Sequence, residues 1–489
     1  MTLAERLSRG VKAMFGASLA DMLANALLVV VLARFLLTPD QYGQLNFVLS
    51  AVGVVTIVAT LGLPKSAARY ITEFAETAPG QVPHVMRLSV LYLGTLTVAV
   101  AVAVAVLGGP ISHAIGTPSL APFVVICGGY VASRSFANYC SALFQGFNRV
   151  TGSAVLGVLT GVGRLVFVTA FVLLGFGVAG ALAGYLAASL LAVAFGAVVL
   201  YREFYREYDA DPEAESGLAR RIVEYSVPLT ATRSANVIDK KLDTLIVGVL
   251  LNMTAVGYYT VAKQVSDFVS MPASAFGFTV SPALGEQKSG NRVDRARTLY
   301  KRSLEFVLIA YVPAVTGLIL VAGPMVRYVF GPDYLGAVSV IQVFSGFMLV
   351  NCINKVTSDG LDFLGRARSR AIVKTTMAVS NVVLNVALIP ILGVVGAAAA
   401  TVITYTVYTL SNVYFIHQEL EFDVASVLRV LGVVCVVTLG MAVVVWVAIP
   451  HVSGLPSLLG TVGLGVATWA ALSTVSGVLD PREVLRFLS

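Results

Sequence analysis

Long runs of apolar residues recur along this chain and alternate with short polar segments. Each run holds about 20 residues, enough for an α-helix to cross the roughly 30 Å hydrocarbon core of a bilayer. The pattern predicts fourteen membrane-spanning helices. Their approximate ranges are 13–37, 44–63, 85–107, 119–145, 153–174, 178–201, 223–250, 256–283, 302–323, 337–362, 370–390, 393–416, 429–449 and 457–478.

The two halves of the chain repeat each other about 216 residues apart. Gly177–Ala181 recurs as Gly393–Ala397, and Leu37–Tyr42 recurs as Met253–Tyr258. Six predicted helices precede the restart, and an even number gives both copies the same orientation. The sequence therefore predicts an all-α integral membrane protein with two six-helix lobes related by a parallel repeat, plus two extra C-terminal helices.

This repeat divides the chain into four predicted regions. An N-lobe with the first six spans covers 1–201, and a charged cytoplasmic linker covers 202–222. A C-lobe with the next six spans covers 223–416, and 417–489 holds the last two spans and a cytoplasmic tail. Asp209–Glu213 inside the linker is interpreted as a solvated segment.

Composition favours a membrane-embedded protein over a soluble one. Hydrophobic residues make up 57% of the 489 residues and charged residues 12%, roughly half the charge of an average soluble domain. Mean hydropathy is +0.86. The first apolar run is too long for a signal-peptide core and has no small-residue cleavage site, so we interpret it as a retained span.

The distribution of lysine and arginine predicts the orientation of the chain. With the N-terminus placed in the cytoplasm, 24 of the 33 basic residues fall in inside segments, whereas Arg34 and Arg327 fall outside. Cytoplasmic loops carry an excess of Lys and Arg, so we expect a multi-pass cell-membrane protein with both termini cytoplasmic. Because topology explains the net charge of +7, no nucleic-acid partner is expected.

Several charged and amide side chains fall at membrane depth, where a charge is costly unless it faces a cavity or a partner. At about 100° per residue they form one polar stripe on each of several helices. We predict that these stripes line a hydrated central cavity. The predicted substrate-binding residues are Arg134, Arg164, Arg233, Lys240, Lys263, Asn138, Asn236 and Asn381.

These charged residues could instead form ion pairs that only hold the helices together. Lys263 lies four residues before Asp267 and could pair with it on the same helix. For Arg164 we favour a functional role over a structural one, because it lies mid-span with no acidic residue within a turn of its own helix. The residues assigned to structural or gating ion pairs are Asp239, Asp243, Asp267 and Lys355.

One carboxylate on these stripes has a separate candidate role. Asp21 lies in the first span with Asn25 one turn further on, and the two are candidates for binding a coupling proton or sodium ion. Other chemistry is not predicted: the four cysteines are isolated, the four histidines do not cluster, and no phosphate-binding loop or nucleophile elbow is found. The expectation is a protein that is not an enzyme, with no metal and no cofactor.

Several segments resemble one family. Leu32–Gly43 resembles the junction of spans 1 and 2 in polysaccharide-biosynthesis flippases, and Leu61–Tyr70 is similar to their first cytoplasmic turn. Asp243–Tyr259 and Gly175–Ala181 are also typical of them. The resemblance covers essentially the whole chain and points to the Wzx-like polysaccharide/oligosaccharide flippase family of the multidrug/oligosaccharidyl-lipid/polysaccharide superfamily.

The resemblance implies a flippase that moves an oligosaccharide on a polyprenyl or dolichyl phosphate or pyrophosphate across the cytoplasmic membrane by alternating access. Cationic groups at depth would offset the phosphate charge, and amides and hydroxyls would bind sugars. The implied partners are lipid-linked oligosaccharide and membrane lipids, with functional association with glycosyltransferases or polymerases and a monomeric state.

Three alternatives stay open at this stage. A cation-coupled multidrug exporter of the same superfamily would use Asp21, which sits where those exporters carry an acidic residue in span 1. A peptidoglycan-precursor lipid flippase differs mainly in its substrate. A membrane-bound glycan polymerase or ligase is disfavoured, because the loops predicted outside are short.

Overall fold

A computed structural model of the chain describes residues 3–114, 116–290 and 292–477, and within them it contains fifteen α-helices and no strand. Arg482, Arg486 and Ser489 of the predicted tail lie outside the described residues. The helices are α1 (Leu3–Val31), α2 (Pro39–Thr60), α3 (Leu63–Thr77), α4 (Val82–Ala114), α5 (Val124–Gly146), α6 (Val150–Phe171), α7 (Gly177–Leu200), α8 (Leu218–Leu250), α9 (Met253–Ser289), α10 (Val293–Met325), α11 (Ala337–Phe363), α12 (Ala367–Leu392), α13 (Val394–Leu420), α14 (Val424–Ala448) and α15 (Leu455–Val475).

The predicted all-α membrane fold is confirmed. Eleven stretches of the described residues are long and apolar enough to cross a membrane, and one of them, Val150–Tyr205, contains both α6 and α7. Neither α8 nor α9 is among the eleven, and α8 carries five charged residues between Arg233 and Asp243. The count of fourteen spans stays a prediction.

Helix boundaries follow local sequence signals. Thr38 precedes α2, and its hydroxyl accepts a hydrogen bond from the Gln41 amide while the Gln41 side chain accepts one from the Thr38 amide. Pro39 occupies the first helical position, where its missing N–H costs nothing. The helix ends at Leu61, which has φ 38°. A two-residue break, and no long loop, thus separates α2 from α3.

The chain divides by packing into two compact units, Met1–Val256 and Gly257–Ser489. In the first unit α6 packs against α1 and α7, α5 packs against α3, α4 and α7, and α8 packs against α2 and α3. A buried core that includes Ile71, Leu143 and Ile222 joins α3, α5 and α8. The repeat pairs α8 with α1, but packing places α8 in the first unit, and the predicted domain boundaries stay a prediction.

The segment between α7 and α8 is exposed at Asp209–Glu213, as a solvated segment should be, and it is also anchored by hydrogen bonds. The Gln81 side chain donates to the Asp211 carboxylate at 2.7 Å and accepts from the Glu215 amide at 2.7 Å. The Asp211 amide in turn donates to the Gly80 carbonyl at 3.0 Å. These bonds fix the start of α8 against the turn between α3 and α4.

In the second unit α11 packs against α10 and α13, α12 packs against α13, and α14 packs against α10 and α15. A buried core that includes Leu284, Tyr300 and Ile416 joins α9, α10 and α13. The outer faces of α14 and α15 are apolar and exposed, as at Val436, Leu439, Trp446 and Leu459. Such faces suit contact with lipid.

Pro272 lies inside α9 without interrupting it. Proline removes one backbone hydrogen bond from a helix and disturbs the preceding turn. Next to it, the Ala273 amide donates to the Tyr311 hydroxyl of α10 at 2.9 Å. A side chain from a neighbouring helix therefore satisfies a backbone donor at the proline.

Candidate functional site

Polar side chains from four helices of the first unit surround one cavity. Asp21 of α1, Arg134 and Asn138 of α5, Arg164 of α6 and Tyr185 of α7 all line it, and its volume is about 320 Å³. The packing of α6 against α1, and of α5 and α6 against α7, brings their polar stripes together. Four of the residues singled out in the sequence thus share one site.

Arg164 and Asp21 form an ion pair inside this cavity. Arg164 Nη2 donates to Asp21 Oδ1 at 3.0 Å, across 143 positions of sequence. The Arg164 side chain is 23% exposed and the Asp21 side chain 48% exposed. Arg164 Nε is buried and makes no hydrogen bond. Because a guanidinium has five N–H donors and can bind an anion in a bidentate manner, this pair uses little of its capacity.

Gly161 of α6 leaves space for the Asp21 side chain. A Cβ added at Gly161 of α6 would lie 2.3 Å from Asp21 Oδ1 and 3.1 Å from the Asp21 Cα. Gly157, one turn earlier on α6, has open space at the same position. Gly161 lies three residues before Arg164, so the missing side chain lets the carboxylate reach the guanidinium.

Two tyrosines flank the arginines. The Arg164 guanidinium carbon lies 5.6 Å from the centroid of the Tyr185 ring. Arg134 Nη1 donates to the Tyr130 hydroxyl at 3.0 Å, and its guanidinium carbon lies 5.7 Å from that ring. The rings of Tyr130 and Tyr185 meet edge to face at 5.7 Å. Cation–π contacts of this kind orient a guanidinium without neutralising it.

Neutral polar groups complete the wall, among them Ser153. Behind the wall, the Ser153 hydroxyl lies 2.6 Å from that of Ser141 and accepts a hydrogen bond from Gln145 Nε2 at 3.2 Å. Ser18 and Ser189 also line the cavity. The lining residues include two guanidiniums and one carboxylate, so the cavity carries an excess of one positive charge. It can bind an anionic group beside sugar hydroxyls.

The first unit also has an apolar groove of about 600 Å³. Leu61 and Leu63 at the break between α2 and α3, Leu96 of α4, and Val223 and Val227 of α8 line it. Such a surface suits a hydrocarbon chain.

Other predicted residues of α8 are less fully described. Lys240 is exposed and Asp243 is buried. The side chains of Arg233, Asn236 and Asp239 lie outside the described residues. The predicted roles of all five stay predictions.

The second unit holds the remaining predicted residues. Lys263 Nζ of α9 lies 5.9 Å from the Tyr259 ring centroid, and Asp267 one turn on is exposed. Lys355 of α11 is half-buried. Asn381 Nδ2 of α12 donates to the Thr404 hydroxyl of α13 at 3.3 Å.

Sequence reasoning missed the two cavity tyrosines and recognised Asp21 and Arg164 only separately. Tyr130 lies four residues before Arg134, so extending the stripe on that helix by one turn would have found it. Tyr185 and Ser189 form a stripe on α7, but no charged residue on that helix draws attention to it. Asn25 is half-buried one turn beyond Asp21 and is not among the lining residues.

Comparison with known proteins identifies the family. A family model described as "Polysaccharide biosynthesis protein" matches residues 7–287, more than half of the chain. The chain belongs to this family. The match confirms the family that the sequence analysis predicted. The matched residues include the four helices that line the cavity.

Relatives of this polysaccharide biosynthesis protein include two named flippases of Haloferax volcanii. "Probable flippase AglR" is 28% identical over 160 residues, which are 32% of this chain and 33% of that protein. "Probable low-salt glycan biosynthesis flippase Agl15" is 23% identical over 198 residues, 40% of this chain and 42% of that protein. The chain thus spans less than half the length of either relative.

A solved structure shares the fold. "Lipid II flippase MurJ, inward closed conformation" superposes with a TM-score of 0.73, covering 95% of this chain and 98% of that one at 14% identity. At this identity the likeness shows the fold alone. It agrees with the all-helical membrane architecture of the polysaccharide biosynthesis family member described here.

Proposed function

We propose that this protein is a flippase that moves a lipid-linked oligosaccharide across the cell membrane by alternating access. Its carrier would be a polyprenyl or dolichyl phosphate or pyrophosphate. The cavity of the first unit carries the proposal, because its lining includes two arginines and one carboxylate at membrane depth. The family match and the two relatives named as flippases support it.

Each chemical part of such a substrate has a suitable surface. The phosphate would bind Arg134 and Arg164, since guanidinium and phosphate form bidentate, charge-assisted bonds. Tyr185 and Asn138 offer a ring face and an amide to the first sugars. The hydrocarbon chain would stay in the bilayer or in the apolar groove of α2, α4 and α8. The protein binds and releases this substrate without making or breaking a covalent bond, so it is not an enzyme.

The proposal extends to orientation, energy and partners. Both termini and the segment around Asp209 would be cytoplasmic, as the distribution of lysine and arginine predicts. A proton or sodium gradient would drive the cycle, with Asp21 and Asn25 as the coupling residues. The protein would act as a monomer beside the glycosyltransferases or polymerases that make and use the glycan.

A drug exporter of the same superfamily is the main alternative. Many drugs carried by such exporters are cationic, and a cavity with excess positive charge repels them. A peptidoglycan-precursor flippase would carry another diphosphate lipid, and a comparison of the two lipids in vesicles separates it from the proposed function.

Reconstituted vesicles test the proposal. The purified full chain is inserted into liposomes that contain a fluorescent prenyl-diphosphate oligosaccharide, a peptidoglycan precursor lipid or a cationic dye. We expect fast exchange of the oligosaccharide lipid between leaflets, against slow exchange in protein-free liposomes. Exchange of the precursor lipid alone would favour that substrate. Transport of the dye alone would establish the exporter and overturn the proposal.

A further inference from the structure

The ion pair between Arg164 and Asp21 suggests how this site releases its substrate. An arginine at membrane depth needs a counter-ion throughout the transport cycle, because a buried charge left alone is strongly unfavourable. Asp21 supplies that counter-ion when the cavity is empty. We propose that Asp21 is a built-in competitor, which occupies the position of the substrate phosphate on Arg164 and returns to it when the substrate leaves.

Three observations make the carboxylate displaceable. It contacts Arg164 through a single 3.0 Å bond, its side chain is 48% exposed to the cavity, and the Arg164 Nε remains without a partner. Each phosphate of a lipid-linked sugar keeps two non-bridging oxygens that accept hydrogen bonds, whereas Asp21 uses one oxygen, and Arg134 lies in the same cavity. The substrate anion can therefore make more charge-assisted bonds than the carboxylate that it replaces.

Competition has a consequence for transport. A carrier must bind its substrate well enough to load it and weakly enough to let it go. When phosphate replaces Asp21, the binding free energy gained is the difference between the free energies of two ion pairs. This difference is smaller than the free energy that phosphate would gain by binding to an unpaired arginine. The inference rests on the proposed function and assigns Asp21 the role of keeping substrate affinity low enough for release.

Removing the Asp21 carboxylate and displacing it from Arg164 should both raise the affinity for the substrate phosphate. Asp21→Asn removes the competing charge. Gly161→Ala keeps both charges, but its new Cβ would lie 2.3 Å from Asp21 Oδ1, so the flexible carboxylate must move away. Gly163→Ala, on the same helix but outside the cavity lining, would place its new Cβ 3.5 Å from the nearest atom, in Ala188, and is the matched control.

The experiment measures binding of farnesyl diphosphate to the full chain in lipid nanodiscs, with farnesol as the uncharged control ligand. We expect Asp21→Asn and Gly161→Ala to bind the diphosphate about tenfold more tightly than the native protein, since a charge-assisted bond contributes at least this factor. Gly163→Ala should bind like the native protein. Farnesol affinity should not change in any variant.

Arg164→Ala separates this inference from the proposed function. We expect it to weaken diphosphate binding, and we expect Asp21→Asn to bring no gain when Arg164 is already absent. Native-like or weaker binding by both Asp21→Asn and Gly161→Ala, with weakened binding by Arg164→Ala, would overturn the competition and leave the phosphate site intact. No effect of Arg164→Ala would overturn the phosphate site itself.

Discussion

Gly177 and Gly393, 216 positions apart, adopt the same unusual backbone conformation. Gly177 has φ 51° and ψ −132°, and Gly393 has φ 61° and ψ −145°. Gly177 is the first residue of α7, which follows α6, and Gly393 lies between the end of α12 and the start of α13. The repeated Gly-Val motif therefore encodes the same tight turn in both copies.

Alanine at either glycine should destabilise the fold. Residues with a Cβ avoid this region, and forcing one into it costs about 1–3 kcal/mol. We expect Gly177→Ala and Gly393→Ala each to lower the melting temperature of the detergent-solubilised protein. Gly432→Ala, on an exposed face of α14 with nothing within 4 Å, should be neutral or stabilising by up to about 1 kcal/mol. Native-like melting of the first two variants would contradict this account.

Much of this fold can be predicted from the sequence, because membrane helices are identified by the length and apolar composition of their residue runs. Helical periodicity also places Arg134 and Asn138 on one face of their helix, and both line the cavity of the first unit. The packing of α8 against α2 and α3 could not be predicted in this way. The repeat relates α8 to α1, but sequence similarity does not say which helices an element contacts.

The centre of the site was less predictable for the same reason. Arg164 has no acidic residue nearby on its own helix, and its partner Asp21 comes from α1, 143 positions earlier. That pairing depends on how α1 packs along α6, and Gly161 permits it. Periodicity within one helix contains no information about contacts between helices.

Glu419 joins three helical segments at one end of the second unit, and its loss should loosen them. It pairs with Lys288 of α9 and with Arg366 before α12, the latter at 2.5 Å, and its side chain is 15% exposed. Glu419→Gln would leave both cations without their carboxylate, and we expect a loss of about 1.5–3 kcal/mol. Asp294→Asn, which breaks a pair whose carboxylate is 91% exposed, should change stability by less than about 1 kcal/mol. Thermal unfolding in detergent compares the two, and equal effects would contradict the assignment.

The orientation of the chain can be tested with reporter fusions. If the distribution of lysine and arginine sets the topology, green fluorescent protein fused after Glu215 or at Ser489 should fluoresce. Alkaline phosphatase fused at the same positions should be inactive, because it needs an oxidising compartment. Fusions after Asp333, in a segment predicted outside, should show the reverse. Active phosphatase after Glu215 would overturn the topology.

Asp21 is also the proposed coupling residue, and this role has a separate test. Asp21→Asn should abolish the dependence of lipid-linked oligosaccharide transport on an imposed proton or sodium gradient, because the amide cannot exchange a proton and carries no charge for a cation. Asp40→Asn removes a carboxylate at the start of α2 that accepts a hydrogen bond from Gln44 at 2.8 Å, and it should keep the dependence. A native-like response to the gradient in Asp21→Asn would eliminate the coupling role.

Arg164 provides the most direct test of the basic cavity. Loss of a charge-assisted contact with phosphate should cost about 1.5–3 kcal/mol, or roughly ten- to a hundredfold in affinity. Arg164→Ala should therefore slow flipping in the vesicle assay and cause lipid-linked oligosaccharide to accumulate in the cytoplasmic leaflet of cells. Arg164→Lys should recover part of the activity, because the charge persists but the planar fork is lost.

Arg202→Ala, at an exposed position just after α7, is the matched control and should flip normally. Protein amounts are measured in parallel, since a flipping defect that follows low expression does not count. Normal glycan export by a variant in which Arg134, Arg164, Arg233 and Lys263 are all neutral would refute the basic cavity and leave the fold untouched.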